Sequence, residues 1–380
     1  MTRQHHTRRR VIGVALTTSA ALVAATIAGV APNASASGSP GSGDGEFTVA
    51  VVMPSAANDL AFSQSIIDSL DRLVEDGTID EFSFSENMFV VEDAATAIRS
   101  YAEEGFDLVI AHGSQYGGSL EEIAPDFPET AFAWGTASDT FGLDNVSGYT
   151  AASDQGGYVM GAMAAMLSGE GSIGIIGPIE VGDAKLYVDG FAAGALSVDA
   201  ELDVGINYTE SFSDTALAAE AATSFVDGGA TVLSGTAQMT VGAIGVAQES
   251  GALWFGTQSN QTVLAPDIVV ASQVYHWEIV LADLVEGVSG GVLGGTAYDI
   301  NIGNEGLVVE FNPDFDVPED VQALADDLIA QLASGELETG VATELAADTT
   351  PGSEPAGTEP MGTEPIESEP SGETTATTEG

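Results

Sequence analysis

The chain reads as an α/β protein of two lobes, each a parallel sheet wrapped by crossover helices. Uncharged Val- and Ile-rich runs alternate with helical patterns along about 300 residues, enough for two domains of ordinary size. Most of these runs carry too little charge to be half-exposed strands and fit sheets covered on both faces. The loops that follow them are polar or Gly-rich and open helices, as parallel connections require.

The first element shows the pattern most clearly. Phe47–Met53 is Val-rich and charge-free, stops at Pro54-Ser55, crosses a polar loop and restarts as a helix with Phe62, Ile66, Ile67 and Leu70 at helical spacing. A buried strand ending in a loop that opens a helix is where α/β sheets bind ligands. Asn58, Asp59, Phe62, Ser63 and Gln64 offer a carboxylate, amides, a hydroxyl and a ring. The same residues also read as a plain capped helix, with Asn58 or Asp59 as cap and Phe62 in the core.

Further strands are expected at Met88–Val91, Leu108–Ala111, Ala131–Trp134, Val146–Tyr149, Ser172–Gly177, Ile206–Tyr208, Thr231–Ser234, Leu253–Gly256 and Ile268–Val274. Helices fall between them at Thr96–Glu104, Gln155–Leu167, Leu186–Ser197, Thr215–Asp227 and Val241–Glu249. Tyr298–Ile302, Leu307–Phe311 and a helix over Pro318–Leu332 read as connections returning between the lobes.

Both ends differ from this body. Arg3, Arg8, Arg9 and Arg10 precede the apolar run Val11–Val30, and Ala34-Ser35-Ala36 is a cleavage signal, so residues 1–36 read as an export leader. Thr7–Ile12 also resembles a twin-arginine signal, leaving two export routes open. From about Leu345 the chain repeats Gly-Ser/Thr-Glu-Pro, a composition that cannot bury a core, so 345–380 reads as a disordered acidic tail.

Composition removes whole classes of function. There is no cysteine, hence no disulfide, thiol catalysis or lipidated cysteine anchor. The formal charge is −51; past the leader three cations face 58 carboxylates, three minus 58 or −55. Nucleic acid and anionic membranes are repelled by such a surface, and salt is needed to screen it. Partners at helical spacing are expected for all three cations: Asp68 for Arg72, Glu103 for Arg99, Asp189 for Lys185.

Gly169–Gly174 matches G-x-G-x-x-G, but it follows a helix and enters a strand, so it is a turn and no dinucleotide site. His112 and His276 are the histidines beyond the leader. His112 follows a strand beside Ser114, Gln115 and Tyr116, and reads as cleft-lining or as a surface residue. Without a G-x-S-x-G elbow or clustered ligands, no catalytic residue, metal or cofactor is expected. Asp314, Asp316, Glu319 and Asp320 lack the glycine and spacing of a calcium loop and read as a solvated face.

Loops after strands supply the cleft candidates. The first lobe offers Asp59, Phe62, Ser63, His112, Gln115 and Trp134; the second offers Lys185, Tyr187, Gln238 and Gln258 within Gly256–Gln261. Rings that stack and amides that read polar edges suit a small, flat, polar ligand, although Trp134 and Tyr187 fit core packing equally well.

Asn58-Asp59-Leu60-Ala61-Phe62-Ser63-Gln64 is similar to the Asp-Asp-x-Ser-Phe-Asn-Gln of the basic membrane protein family, solute-binding proteins of ABC importers. The match extends through Tyr158-Val-Met-Gly161, Gly171–Pro178, Gly190-Phe191-Ala-Ala-Gly194, Ser211-Phe-Ser-Asp214 and Gly228-Gly-Ala-Thr-Val, in order over most of the body. The resemblance implies a type I periplasmic-binding fold, two Rossmann-like α/β lobes joined by three hinge crossings, with 45–149 plus 276–306 as lobe I and 150–275 plus 307–340 as lobe II. It implies an exported monomer that closes over a nucleoside-like or sugar-like ligand and delivers it to an ABC permease and its ATPase. A ligand sensor for a membrane receptor and a secreted hydrolase stand as alternatives. Where the family has Gly-Val-Asp-Ser-Asp-Gln, this chain has Gly256-Thr257-Gln258-Ser259-Asn260-Gln261. A neutral Gln258 in place of the acid expected to hold ribose predicts weak binding of purine ribonucleosides.

Overall fold

The protein is described by a computed structural model over residues 46–341; the expected leader at 1–36 and tail at 345–380 lie outside the described residues. Its strands are β1 (Thr48–Val52), β2 (Glu81–Ser85), β3 (Leu108–His112), β4 (Ala131–Gly135), β5 (Val146–Ala151) and β6 (Ser172–Gly177), then β7 (Val204–Tyr208), β8 (Ala230–Gly235), β9 (Leu253–Gln258), β10 (Val269–Tyr275), β11 (Ala297–Ile300) and β12 (Leu307–Phe311). The α-helices are α1 (Phe62–Asp76), α2 (Val91–Glu104), α3 (Gly117–Ile123), α4 (Ser153–Leu167), α5 (Gly182–Val198), α6 (Thr215–Asp227), α7 (Thr240–Ser250), α8 (Glu278–Ser289) and α9 (Glu319–Ser334).

The strands form two six-stranded sheets, ordered β11-β5-β4-β3-β1-β2 in the first lobe and β12-β10-β9-β8-β6-β7 in the second. Every pairing is parallel except β12 against β10. The chain passes between the sheets after β5, after β10 and after β11. These crossings lie side by side: the Ala152 amide donates to the Ile300 carbonyl, and the His276 amide to that of Gly306.

Strand alternation explains the layering. In β1, Val49 and Val51 join the core beneath α1 and α8, whereas Val52 packs with Ile98 and Leu120 of α2 and α3 on the other face. Both faces are dry, and that is why the strand carries no charge. α1 buries Phe62, Ile66, Leu70 and Leu73, each worth roughly 1.5–3 kcal/mol, and Gly77 ends it at φ 81°. The two glycine motifs of the middle segment have one cause. A methyl group on Gly161 would strike the Phe191 carbonyl, and one on Gly194 the Tyr158 carbonyl, so these positions let α4 and α5 touch backbone to backbone.

Some expectations do not hold. Met88–Val91 is not a strand; Val90 is exposed and leads into α2, and the strand is the preceding β2, Glu81–Ser85. As a half-exposed edge strand it lacks the apolar signature of its neighbours. α3 and α8 have no counterpart among the expected elements. Arg72 pairs with Glu278 of α8, Nε to Oε1 at 2.6 Å and Nη2 to Oε2 at 2.9 Å, and not with Asp68. The guanidinium fork matches a carboxylate met edge-on across two helices better than one a turn away. Arg99 likewise reaches Asp126 at 2.9 Å, over the Phe127 ring, and not Glu103. Lys185–Asp189 forms as expected, at 2.6 Å.

Candidate functional site

The C-terminal edges of the two parallel sheets face each other across a cavity enclosing about 490 Å³ of empty space, part of it continuous with solvent. The first lobe contributes Phe62, Phe89, Ser114, Gln115 and Thr136; the second contributes Val181, Asp183, Phe212, Gln238 and Gln258. Hydrogen bonds join the lobes around it. Thr136 Oγ1 donates to Asp183 Oδ1 (3.1 Å), Ser259 Oγ to the Ala61 carbonyl (2.8 Å) and Gln261 Nε2 to the Leu60 carbonyl (3.2 Å).

The loop after β1 divides its residues between scaffold and wall. Asp59 accepts from the amides of Ala61, Ser63 and Gln64 and from Ser55 Oγ at 2.5 Å. Ser63 Oγ is buried against Ser55, 3.2 Å from its amide and 2.6 Å from its hydroxyl. Asp59 satisfies first-turn amides of α1 and Ser63 ties the loop to the helix through Ser55, and neither lines the cavity. Phe62 does line it, and its ring stacks on the His112 imidazole at 3.9 Å and 10°.

His112 stands one layer behind the wall, fully buried. Nε2 lies 3.2 Å from the Phe62 carbonyl, which can only accept, so Nε2 carries the hydrogen. Nδ1 therefore accepts from the Tyr149 hydroxyl at 2.7 Å. Burial lowers the imidazole to about 3, and it stays neutral. Its work is to position Phe62. Tyr149 and His112 both meet the edge of Trp277, at 5.1 and 5.8 Å, and Trp277 meets Tyr275 at 5.1 Å, so an aromatic cluster runs from the cavity wall into the hinge.

Trp134, Tyr187 and Lys185 also lie outside the wall. Trp134 is buried with Phe141 and donates Nε1 to the Gly113 carbonyl at 3.2 Å. Ser234 spends its hydrogen on the Phe255 carbonyl, so the buried Tyr187 hydroxyl donates to Ser234 Oγ at 2.7 Å. Lys185, half-exposed on α5, is held by Asp189. Of the ten expected residues the cavity brings together Phe62, Gln115, Gln238 and Gln258, and not Asp59, Ser63, His112, Trp134, Lys185 or Tyr187.

Within Gly256–Gln261 the labour is split. Gln258 faces the cavity at φ 72°, a left-handed conformation uncommon for a residue with a side chain, and its buried Oε1 has no partner among the described residues. Ala237, beside Gln238, shares that backbone state at φ 73°. Ser259 and Gln261 reach the opposite lobe, and Asn260 holds Glu310 at 2.7 Å.

Lining residues absent from the expected set include Phe89, Ser114, Thr136, Val181, Asp183 and Phe212. Phe212 sits inside Ser211-Phe-Ser-Asp214, a motif whose Asp214 caps α6 through the amides of Ala216 and Leu217. Asp183 was hidden by placing the start of α5 at Leu186. The helix begins four residues earlier, and its first turn is cavity wall. Asp183 is 7% exposed and accepts from Thr136 and, at 3.3 Å, from the Tyr275 hydroxyl. Burial pushes its carboxyl above the usual range, opposed by those hydrogen bonds.

Two α/β lobes closed over a cavity of rings, amides and one carboxylate, with no nucleophile–base pair among the lining residues, define a small-molecule binding protein. Residues 47–336 match the family described as ABC transporter substrate-binding protein PnrA-like, and the chain belongs to that family. It is 32% identical to a purine-binding protein of Brucella abortus strain 2308 over 260 residues, 68% of this chain and 72% of that one. Among solved structures, an ABC transporter solute-binding protein from Conexibacter woesei superposes with TM-score 0.64 at 26% identity, covering 77% of this chain and 98% of the other. One from Aeropyrum pernix gives 0.67 at 18% identity over 77% and 92%, a likeness of fold alone. Proteins of this kind bind ligands outside the cytoplasm, work with a permease and an ATPase, and are not enzymes.

Proposed function

We infer that the protein is the exported ligand-binding component of an ABC importer and that its ligand is a purine nucleoside or a close analogue. The observation that carries this reading is the pairing of Phe62 and Phe212, rings from opposite lobes, in the wall of a cavity whose other polar side chains are Ser114, Gln115, Thr136, Asp183, Gln238 and Gln258. Rings offered from both lobes suit a planar heterocycle, and amides read its edges. The 32% identity to a purine-binding protein supports the same class. The expectation of weak ribonucleoside binding rested on Gln258 having lost a carboxylate. With Asp183 in the wall the second lobe keeps one, and that argument loses its basis. We read the protein as a monomer that delivers this ligand to its permease.

Calorimetry with adenosine, guanosine, inosine, the free purine bases and ribose tests the reading. Micromolar or tighter binding of at least one nucleoside, with ribose much weaker, is expected. Tight binding of a monosaccharide with no response to any nucleoside would replace this ligand class with sugars.

A further inference from the structure

The first turn of α5 lines the cavity through Gly182, Asp183 and Ala184. A bare helix N-terminus there would present free amides and favour an anion. This one carries its own buried carboxylate instead. Asp183 is fixed from two sides, by Thr136 of the opposite lobe at 3.1 Å and by Tyr275 of the hinge strand at 3.3 Å. The amides of Asp183 and Ala184 also favour the charged carboxylate, and because Asp183 lines the cavity a ligand donor can join these partners or replace one of them. In the same wall Gln258, 3% exposed, keeps Oε1 unpartnered among the described residues and is held there at φ 72°. Among the described residues no Lys, Arg or His lines the cavity, and Arg72, Arg99 and Lys185 are each ion-paired elsewhere. Beside the amide donors of Gln238 and Gln258, the second lobe therefore offers two acceptors, Asp183 and Gln258 Oε1, that a ligand donor can meet.

We propose that Asp183 is the specificity-determining residue of this cleft: its carboxylate accepts a hydrogen bond from one hydroxyl of the ligand's sugar, and its charge bars the phosphate ester of that same hydroxyl. The proposal rests on the nucleoside reading above. It shifts the recognition of the sugar from position 258 to the start of α5. Thr136 acts with it as a positioning residue, holding the carboxylate in place when the lobes are closed.

The test is a double-mutant cycle between protein and ligand. The tightest-binding of adenosine, guanosine and inosine is titrated with its 2′-, 3′- and 5′-deoxy forms into the wild type, Asp183→Asn and Thr136→Val, in about 1 M NaCl, where the field of the whole molecule reaches only about 3 Å. One deoxy form should lose about tenfold or more on the wild type and less than about threefold on Asp183→Asn, the other two losing equally on both. The monophosphate at that hydroxyl should bind Asp183→Asn at least about tenfold better than the wild type. Thr136→Val should weaken all four ligands by one common factor. If Asp183→Asn also scales all four by one factor, Asp183 is only a structural acid and the proposal falls. If the folded wild type, judged by its melt, binds none of the three parent nucleosides, the ligand reading falls and takes this assignment with it.

Discussion

Residues doing similar work in this protein differ in how visible they are from sequence, and the loop after β1 shows why. Asp59, Ser63 and Phe62 lie within five positions of one another, yet only Phe62 reaches the cavity, because the other two satisfy amides exposed by the turn and the helix start. Polar residues at a strand–helix junction are required by capping whether or not a ligand is bound, so residue type there cannot separate scaffold from site. His112 and Trp134 sit at the right edge of the sheet but one layer back, a distance that no linear pattern records. Phe62 itself is both core and wall: 9% exposed, stacked on His112, and open to the cavity. Phe62→Ala should therefore lower stability by about 3 kcal/mol, the low end for a buried phenylalanine because one side of the ring already faces a void. Phe62→Leu keeps most of the buried area but not the flat face. It should melt within a few degrees of the wild type and bind the nucleoside roughly tenfold more weakly, as calorimetry on both variants will show. A Leu variant with unchanged affinity would mean the ring does not touch the ligand.

At the scale of elements, strands buried on both faces were legible because their composition has one cause, whereas β2 and α8 were not. β2 is an edge strand with a half-wet face, and α8 follows a hinge crossing that no local pattern announces. That unannounced helix redirects the electrostatics. Its Glu278 takes Arg72 from Asp68 and faces His276 Nδ1 at 3.3 Å, while His276 Nε2 lies 4.0 Å from Glu310 of β12. The neighbouring carboxylates of Glu278 and Glu310 raise His276 to about 9 despite its burial. Burial would raise Glu278, but His276 and Arg72 override it and hold the carboxyl at about 2. A raised histidine stabilises the fold fully below its ordinary 6.5 and stops doing so as pH climbs through about 9. A depressed glutamate stabilises above its ordinary 4.5 and fails as pH falls through about 2. The hinge is thus strongest between about pH 4.5 and 6.5, with both contributions present. Thermal and urea melts should show the wild type about 1–2 kcal/mol more stable near pH 6 than near pH 9.5, with that difference largely gone in His276→Gln. An equal alkaline loss in the variant would assign it to other groups.

The whole molecule is governed by a charge of −51, from seven basic residues against 58 acidic ones. Its buried layers are nearly free of charge, so the acids lie outward: Glu103 and Glu104 end α2, and Glu121 and Glu122 lie on α3, all four exposed. At low ionic strength these repel across distances longer than the spacing between helices, since screening acts over about 10 Å at 0.1 M salt and about 3 Å at 1 M. Few attractive pairs exist for salt to weaken, because the ion pairs of Arg72, Arg99 and Lys185 are the Lys and Arg pairs of the described residues. Screening therefore removes repulsion and little else, and the melting temperature should climb steadily from about 0.05 M to beyond 1 M NaCl, where a protein of balanced charge would level off. Salting-out of apolar surface would also raise the melt, so a charge variant is needed to separate the two. Replacing Glu103, Glu104, Glu121 and Glu122 by Gln keeps size and polarity and removes four neighbouring charges. That variant should be more stable than the wild type at low salt, converge with it near 1 M, and show the shallower slope between. Parallel melting curves for the two proteins at every salt concentration would trace the climb to apolar hydration, and a wild-type curve flat from low to molar salt would show that self-repulsion does not limit this fold.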